Sequence, residues 1–149
     1  MKSELRQIIS DIDSYLPTAD GWLGLDVLLD KLFSAQPELG IDAMLRVFER
    51  FPEDDGGGVF WSIVHGLETL SGYEEKLVES VKSRPSEFGL LMVNRLLNAN
   101  QTHVADTNLL HLLSSIAVDQ GQPLKVRKRA QAFAEAQNKR AINGTGSSA

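Results

Sequence analysis

FPEDDGGGVFWSIVHGLETLSGY, residues 51–73, is the stretch whose reading decides the fold. The acids Glu53, Asp54 and Asp55 run into Gly56, Gly57 and Gly58, a turn composition, because glycine reaches positive φ without steric cost. Over 59–70 the apolar residues Phe60, Ile63, Val64 and Leu67 recur at helical spacing. Ser71 and Gly72 then supply a glycine stop. The segment reads as an acidic corner feeding an amphipathic helix that carries Trp61, His65 and Glu68.

The same punctuation extends in both directions. Upstream, helices are expected over 3–16 (stripe Leu5, Ile8, Ile9, Ile12, Leu16, stopped by Pro17), over 21–35 (Asp20 as N-cap, Leu25, Leu28, Leu29, Leu32 and Phe33 inward), and over 38–51 (opened by Pro37, with Leu39, Met44, Leu45, Val47 and Phe48). Downstream, 73–83 is short and charged, with only Leu77, Val78 and Val81 to bury, and is placed on the surface. Ser86 caps a helix over 87–98, and a polar loop follows. The leucine-rich helix over 106–118 is expected to be the most buried, and the last helix runs over 123–139 on Leu124, Val126, Ala130, Phe133 and Ala134. No sustained alternation marks a strand.

These spacings predict an all-α fold of about eight helices in antiparallel pairs. A short stack of helical hairpins of the HEAT or armadillo kind is the favoured arrangement, with a compact helical bundle as the alternative. Residues 1–141 read as one helical domain. The tail INGTGSSA, residues 142–149, has little to bury and is expected to be disordered.

The absence of cysteine excludes disulfides, thiolate zinc sites and thiol catalysis. No run is long and apolar enough to span a membrane, and the acidic, amphipathic N-terminus differs from a signal peptide, so a cytoplasmic location is expected. The net charge of −5 is unevenly divided. Residues 1–79 hold sixteen acids and six bases, a charge of −10, whereas residues 80–149 hold four acids and nine bases, a charge of +5. A polarity of this kind steers charged partners through a field that salt weakens.

The chemistry-bearing residues point to binding and away from catalysis. His65 and Glu68 share a helix face at the minimal spacing of an acid–base or metal pair, but one histidine and one carboxylate are too few for a zinc or transition-metal site. Neither GxSxG nor SxxK occurs. Gly56 to Gly58 lack the P-loop lysine, and three carboxylates beside them repel phosphate. His103 reads as solvated and His111 as half-buried on a backbone oxygen. The bases Lys125, Arg127, Lys128 and Arg129 lack interleaved aromatics, so direct nucleic-acid binding is not expected. They read instead as a solvated helix face or as partners for acids of the same chain. Trp61 is expected to pack inside and Tyr73 to be exposed, either being able to anchor an interface. Asp54, Asp55, Glu74 and Glu75 stand at consecutive turns and are expected on one edge.

FPEDDGGGVFWSIVHGLETL, YEEKLVESV and RPSEFGLLMVNRLLNAN, with HLLSSIAVDQ and VRKRAQAFAEAQ further on, resemble a group of small all-helical bacterial immunity proteins of polymorphic toxin and contact-dependent growth-inhibition systems. The resemblance covers about residues 40–138 and leaves the first forty residues unmatched. It implies a HEAT-like fold, a cytoplasmic location, no cofactor, no catalytic residues, and neutralisation of one cognate toxin domain. Combined with the charge polarity, it makes Glu53, Asp54, Asp55, His65, Glu68, Tyr73, Glu74 and Glu75 the expected partner-binding residues, covering the basic cleft of a nuclease toxin. The alternative is a HEAT-like scaffold or adaptor that binds a peptide or protein partner.

Overall fold

The computed structural model describes residues 3–147. Among them are eight α-helices: α1 (Ser3–Asp13), α2 (Leu23–Phe33), α3 (Ile41–Arg50), α4 (Phe60–Glu68), α5 (Tyr73–Ser83), α6 (Glu87–Asn98), α7 (Leu109–Ala117) and α8 (Leu124–Ser147). Short 3-10 turns at Pro37–Gly40 and Gly56–Gly58 precede α3 and α4. A small antiparallel hairpin, β1 (His103–Val104) and β2 (Thr107–Asn108), joins α6 to α7.

The helices form two layers. In the odd layer α1 packs on α3 and α3 on α5; in the even layer α2 packs on α4, α4 on α6 and α6 on α8. Chain neighbours α1 and α2, α3 and α4, α5 and α6, α7 and α8 pack across the layers. This is the order of stacked helical hairpins, in which each pair buries its apolar faces against the next.

Polar side chains stitch neighbours within each layer. In the odd layer Arg46 pairs with Asp13 at 2.6 Å, Lys76 with Asp42 at 3.1 Å, and Ser80 donates to Glu49 at 2.7 Å. Between α5 and α7 the β-hairpin takes this role, with Lys82 donating to Thr107 at 2.7 Å. In the even layer Ser62 donates to Asp26 at 3.3 Å, Arg95 to Glu68 at 2.8 Å, and Gln137 to Asn94 and Asn98 at 2.7 and 2.8 Å.

The core is continuous from α1 to α8, with Phe48, Phe60, Leu25, Met44, Leu77 and Leu90 among its fully buried side chains. An aromatic cluster lies at one end: Trp22 meets Phe51 and Phe60 edge-on at 4.9 Å, and Phe60 meets Phe88 edge-on at 5.4 Å. Arg50 locks the first hairpin to α3 by donating to the carbonyls of Tyr15 and Ile12 at 2.8 and 3.0 Å. Both carbonyls lie at or just beyond the end of α1, where a cation is favoured.

Several expectations need correction. α1 ends at Asp13, so Leu16 is not on its stripe and is exposed. Asp20 caps nothing; a tight turn between Thr18 and Gly21 intervenes, and Trp22 holds the cap position of α2. Leu39 falls in a 3-10 turn, whose tighter winding moves it off the apolar face, and Leu124 opens α8 facing outward. α6 is buried more completely than α7. α8 continues as helix through Ser147, past Ala141, where the tail was expected to begin; residues 148–149 lie outside the described residues.

Candidate protein-binding surface

The acidic corner is held by its own carboxylates. Asp54 Oδ1 accepts from the Gly56 N–H and Asp55 Oδ1 from the Gly57 N–H, each at 2.9 Å. These bonds satisfy amide groups at the start of a helical turn, the use for which aspartate is suited. Gly56 is buried at φ +65°, and a Cβ there would overlap the Phe60 ring. The turn therefore needs glycine for two reasons, and it rests on the aromatic cluster. Lys125, at the start of α8, reaches back and donates to the Glu53 carbonyl at 2.9 Å. The corner is thus a braced structural turn with Glu53 and Asp55 on its exposed side.

A second group lies along α4. Trp61 is 38% exposed, and the His65 ring stacks on it with centroids 5.6 Å apart and planes inclined by 29°. From α6, the Arg95 guanidinium lies 5.7 Å from the Trp61 ring centre and pairs with both oxygens of Glu68. Phe88 supports Trp61 edge-on at 5.7 Å. The hydrogen bonding to Glu68, and then the Glu68 charge, raise the Arg95 pKa above its ordinary value. The group is an aromatic and guanidinium platform fixed before any partner arrives, the composition found at interface anchors.

Tyr73 corrects an expectation: it is buried, at 7% exposure. Burial, with the nearby charges of Glu68 and Glu74, pushes its phenol up to about 12. Tyr73 is therefore close enough to Glu68 and Arg95 to feel their charges and offers no open contact surface. Trp61, expected inside, is the more exposed of the two. His111, expected half-buried, is exposed on α7.

The expected partner-binding residues fall into two places. His65, Glu68, Tyr73, Glu74 and Glu75 gather around the C-terminal end of α4 and the start of α5, whereas Glu53, Asp54 and Asp55 precede its N-terminal end. Nine helical residues, roughly 13 Å of axis, lie between. The clefts beside them share no residue: Phe51, Pro52 and Lys125 accompany the first acids, and Gly72, Gln101 and His103 the second. The single acidic edge is not formed, because the two acidic turns lie at opposite ends of α4.

The bases of α8 are mostly committed internally. Lys125 and Arg129 pair with Glu87 at 3.3 and 3.0 Å, and the Glu87 side chain is only 11% exposed. Arg127 donates to the Gln122 carbonyl. Cations at the start of a helix oppose its dipole, and Glu87 offsets two of them. Arg95 is the participant that the sequence did not point to; it stands in no motif and acts across more than twenty residues of chain, whereas Lys125 and Arg129 pair with an acid of the same chain, one of the two readings of the basic cluster.

Among the described residues no group of three or more His, Cys, Asp and Glu could hold a metal ion, and no helix is long and apolar enough to cross a membrane. Comparison with protein-family models, curated proteins and solved structures gives no match.

Proposed function

We propose that this protein is a binding module of the immunity type, which neutralises a cognate toxin domain, a nuclease, by covering its basic cleft in the bacterial cytoplasm. The observation that carries the reading is electrostatic. Of the sixteen acids in residues 1–79, only Asp13, Asp42 and Glu68 stand in an ion pair among the described residues. On the other side of the ledger, Arg95, Lys125 and Arg129 are held by internal carboxylates. The field over residues 1–79 is therefore acidic, and such a field accelerates association with a basic surface and disfavours nucleic acid as a ligand there.

The decisive experiment pairs the protein with the toxin domain encoded beside it and measures association rates at low and high salt. Rapid association that slows with salt, together with loss of toxin activity, supports the proposal. Absence of binding, or binding indifferent to salt, sinks it. The exposed Trp61 platform favours a second reading, an adaptor that holds a peptide or protein along the even layer. Under that reading Trp61→Ala abolishes binding while salt changes it little.

A further inference from the structure

The two ends of the stack carry complementary surfaces. At the first end, α1 and α2 leave a cleft of about 1030 Å³ between them, lined by Leu5, Ile8 and Leu28 and by the acids Glu4, Asp11 and Asp30. Ile8 and Leu28 are only partly covered. A hairpin in a stack buries one face on each neighbour, and among the described residues the first hairpin packs on a neighbour on one side only. The cleft is the position at which a further helix would continue the layer.

At the other end, α8 shows an outward stripe: Leu124, Lys128, Gln131, Glu135, Lys139 and Ile142 are all exposed and recur at spacings of four and three. They therefore share one face of the helix, with aliphatic residues at its two ends and polar ones between. Leu124 and Ile142 are 54% and 70% exposed, large values for aliphatic side chains. Unlike Lys125 and Arg129, which are paired with Glu87, Lys128 faces outward on this stripe. Lys128 and Lys139 complement Glu4, Asp11 and Asp30, and Glu135 complements Lys31 at the cleft margin.

We infer that α8 of one copy docks into the α1–α2 cleft of a second copy, so that the protein self-associates head to tail. The two surfaces are different and lie on the first and last hairpins, so the contact is heterologous and each added copy leaves a fresh cleft and a fresh α8. Association is strongest at low salt, since the middle of the α8 stripe is charged and meets the charges of the cleft.

Sedimentation analysis over a range of concentrations tests this. At low salt the wild type is expected to form a concentration-dependent series of oligomers that shortens as salt rises. Asp11→Lys with Asp30→Lys, and separately Lys128→Glu with Lys139→Glu, should each weaken self-association by about tenfold or more. All four changes in one chain should restore it, because the charges are exchanged across the contact. These positions lie at the surface, and circular dichroism confirms that each variant is folded. A wild type that stays monomeric at low salt overturns the inference, as does a four-fold variant that remains dissociated while both double variants are folded.

Discussion

Glu68 and Arg95 face each other across α4 and α6 through two parallel hydrogen bonds, Nε to Oε2 and Nη2 to Oε1, both 2.8 Å long. The pair is partly open, with side-chain exposures of 25% and 38%, so its contribution is modest. Arg95→Ala should lower stability by about 0.5–1 kcal/mol in urea unfolding. The larger consequence is local. Without the guanidinium beside it, the Trp61 ring keeps its contacts with His65 and Phe88 but loses its cation. Acrylamide should then quench Trp61 fluorescence more readily than in the wild type, measured in a Trp22→Phe background. Unchanged quenching would show that Arg95 does not position the ring.

The glycines of the corner are not equivalent. Gly56 combines positive φ with a position beneath the Phe60 ring, whereas Gly58, at φ +91°, has nothing near its missing Cβ. Gly56→Ala adds a ring clash to backbone strain and should destabilise by about 2–4 kcal/mol. Gly58→Ala bears only the backbone term, about 1–2 kcal/mol. Thermal unfolding of the two variants separates the contributions; equal losses would show that the Phe60 contact yields without cost.

Helix positions were legible because burial in this fold follows the 3.6-residue period. Phe60, Ile63, Val64 and Leu67 face inward as the spacing requires, and Ser86 caps α6 with its side chain on the Gly89 N–H. Tyr73 was misread on composition. Its neighbours Glu74 and Glu75 suggested solvent, yet it precedes Leu77 by one turn and shares that residue's buried face. The β-hairpin left no signal, since two residues per strand are too few to alternate. That Arg95 meets Glu68, and that Glu87 is the acid which Lys125 and Arg129 pair with, is illegible for a different reason. Both pairings depend on which helices become neighbours in a layer, a property of the stack that no local spacing encodes.

Tyr73 should impose a pH dependence in the alkaline range. Its phenol ionises near 10 when unfolded and near 12 when folded, burial being the main cause. Between those values the folded state retains a proton that the unfolded state has lost, so stability falls as pH rises from about 10 to about 12. Below 10 the contribution is complete and flat. The difference in unfolding free energy between wild type and Tyr73→Phe should follow that curve, and the phenolate absorbance of Tyr73 should rise with a midpoint near 12. A midpoint near 10 would contradict its burial.

The two acidic groups should act independently. Roughly 13 Å of α4 separates them, more than the Debye length of about 8 Å at physiological salt. Lysine at Glu53 and Asp55 and lysine at Glu74 and Glu75 should each slow association with a basic partner, and the effects of the two double substitutions should add within about 0.5 kcal/mol. Strong coupling, measured as a double-mutant cycle on the association rate, would mean that the partner bridges both ends of α4 through one rigid contact.

Glu87 should respond asymmetrically to loss of either side of its pairs. Its carboxylate is largely enclosed while Lys125 and Arg129 are about half exposed. In Glu87→Gln the two cations remain free to hydrate, so the loss should be about 1 kcal/mol. In Lys125→Ala with Arg129→Ala the carboxylate stays enclosed with no counter-charge, a loss of about 3 kcal/mol. Adding Glu87→Gln to that double variant should recover part of the loss, because the uncompensated charge disappears with it. Chemical unfolding of the three variants checks the order. If Glu87→Gln proves the most harmful, water reaches the carboxylate freely and the pairs act as ordinary surface bridges.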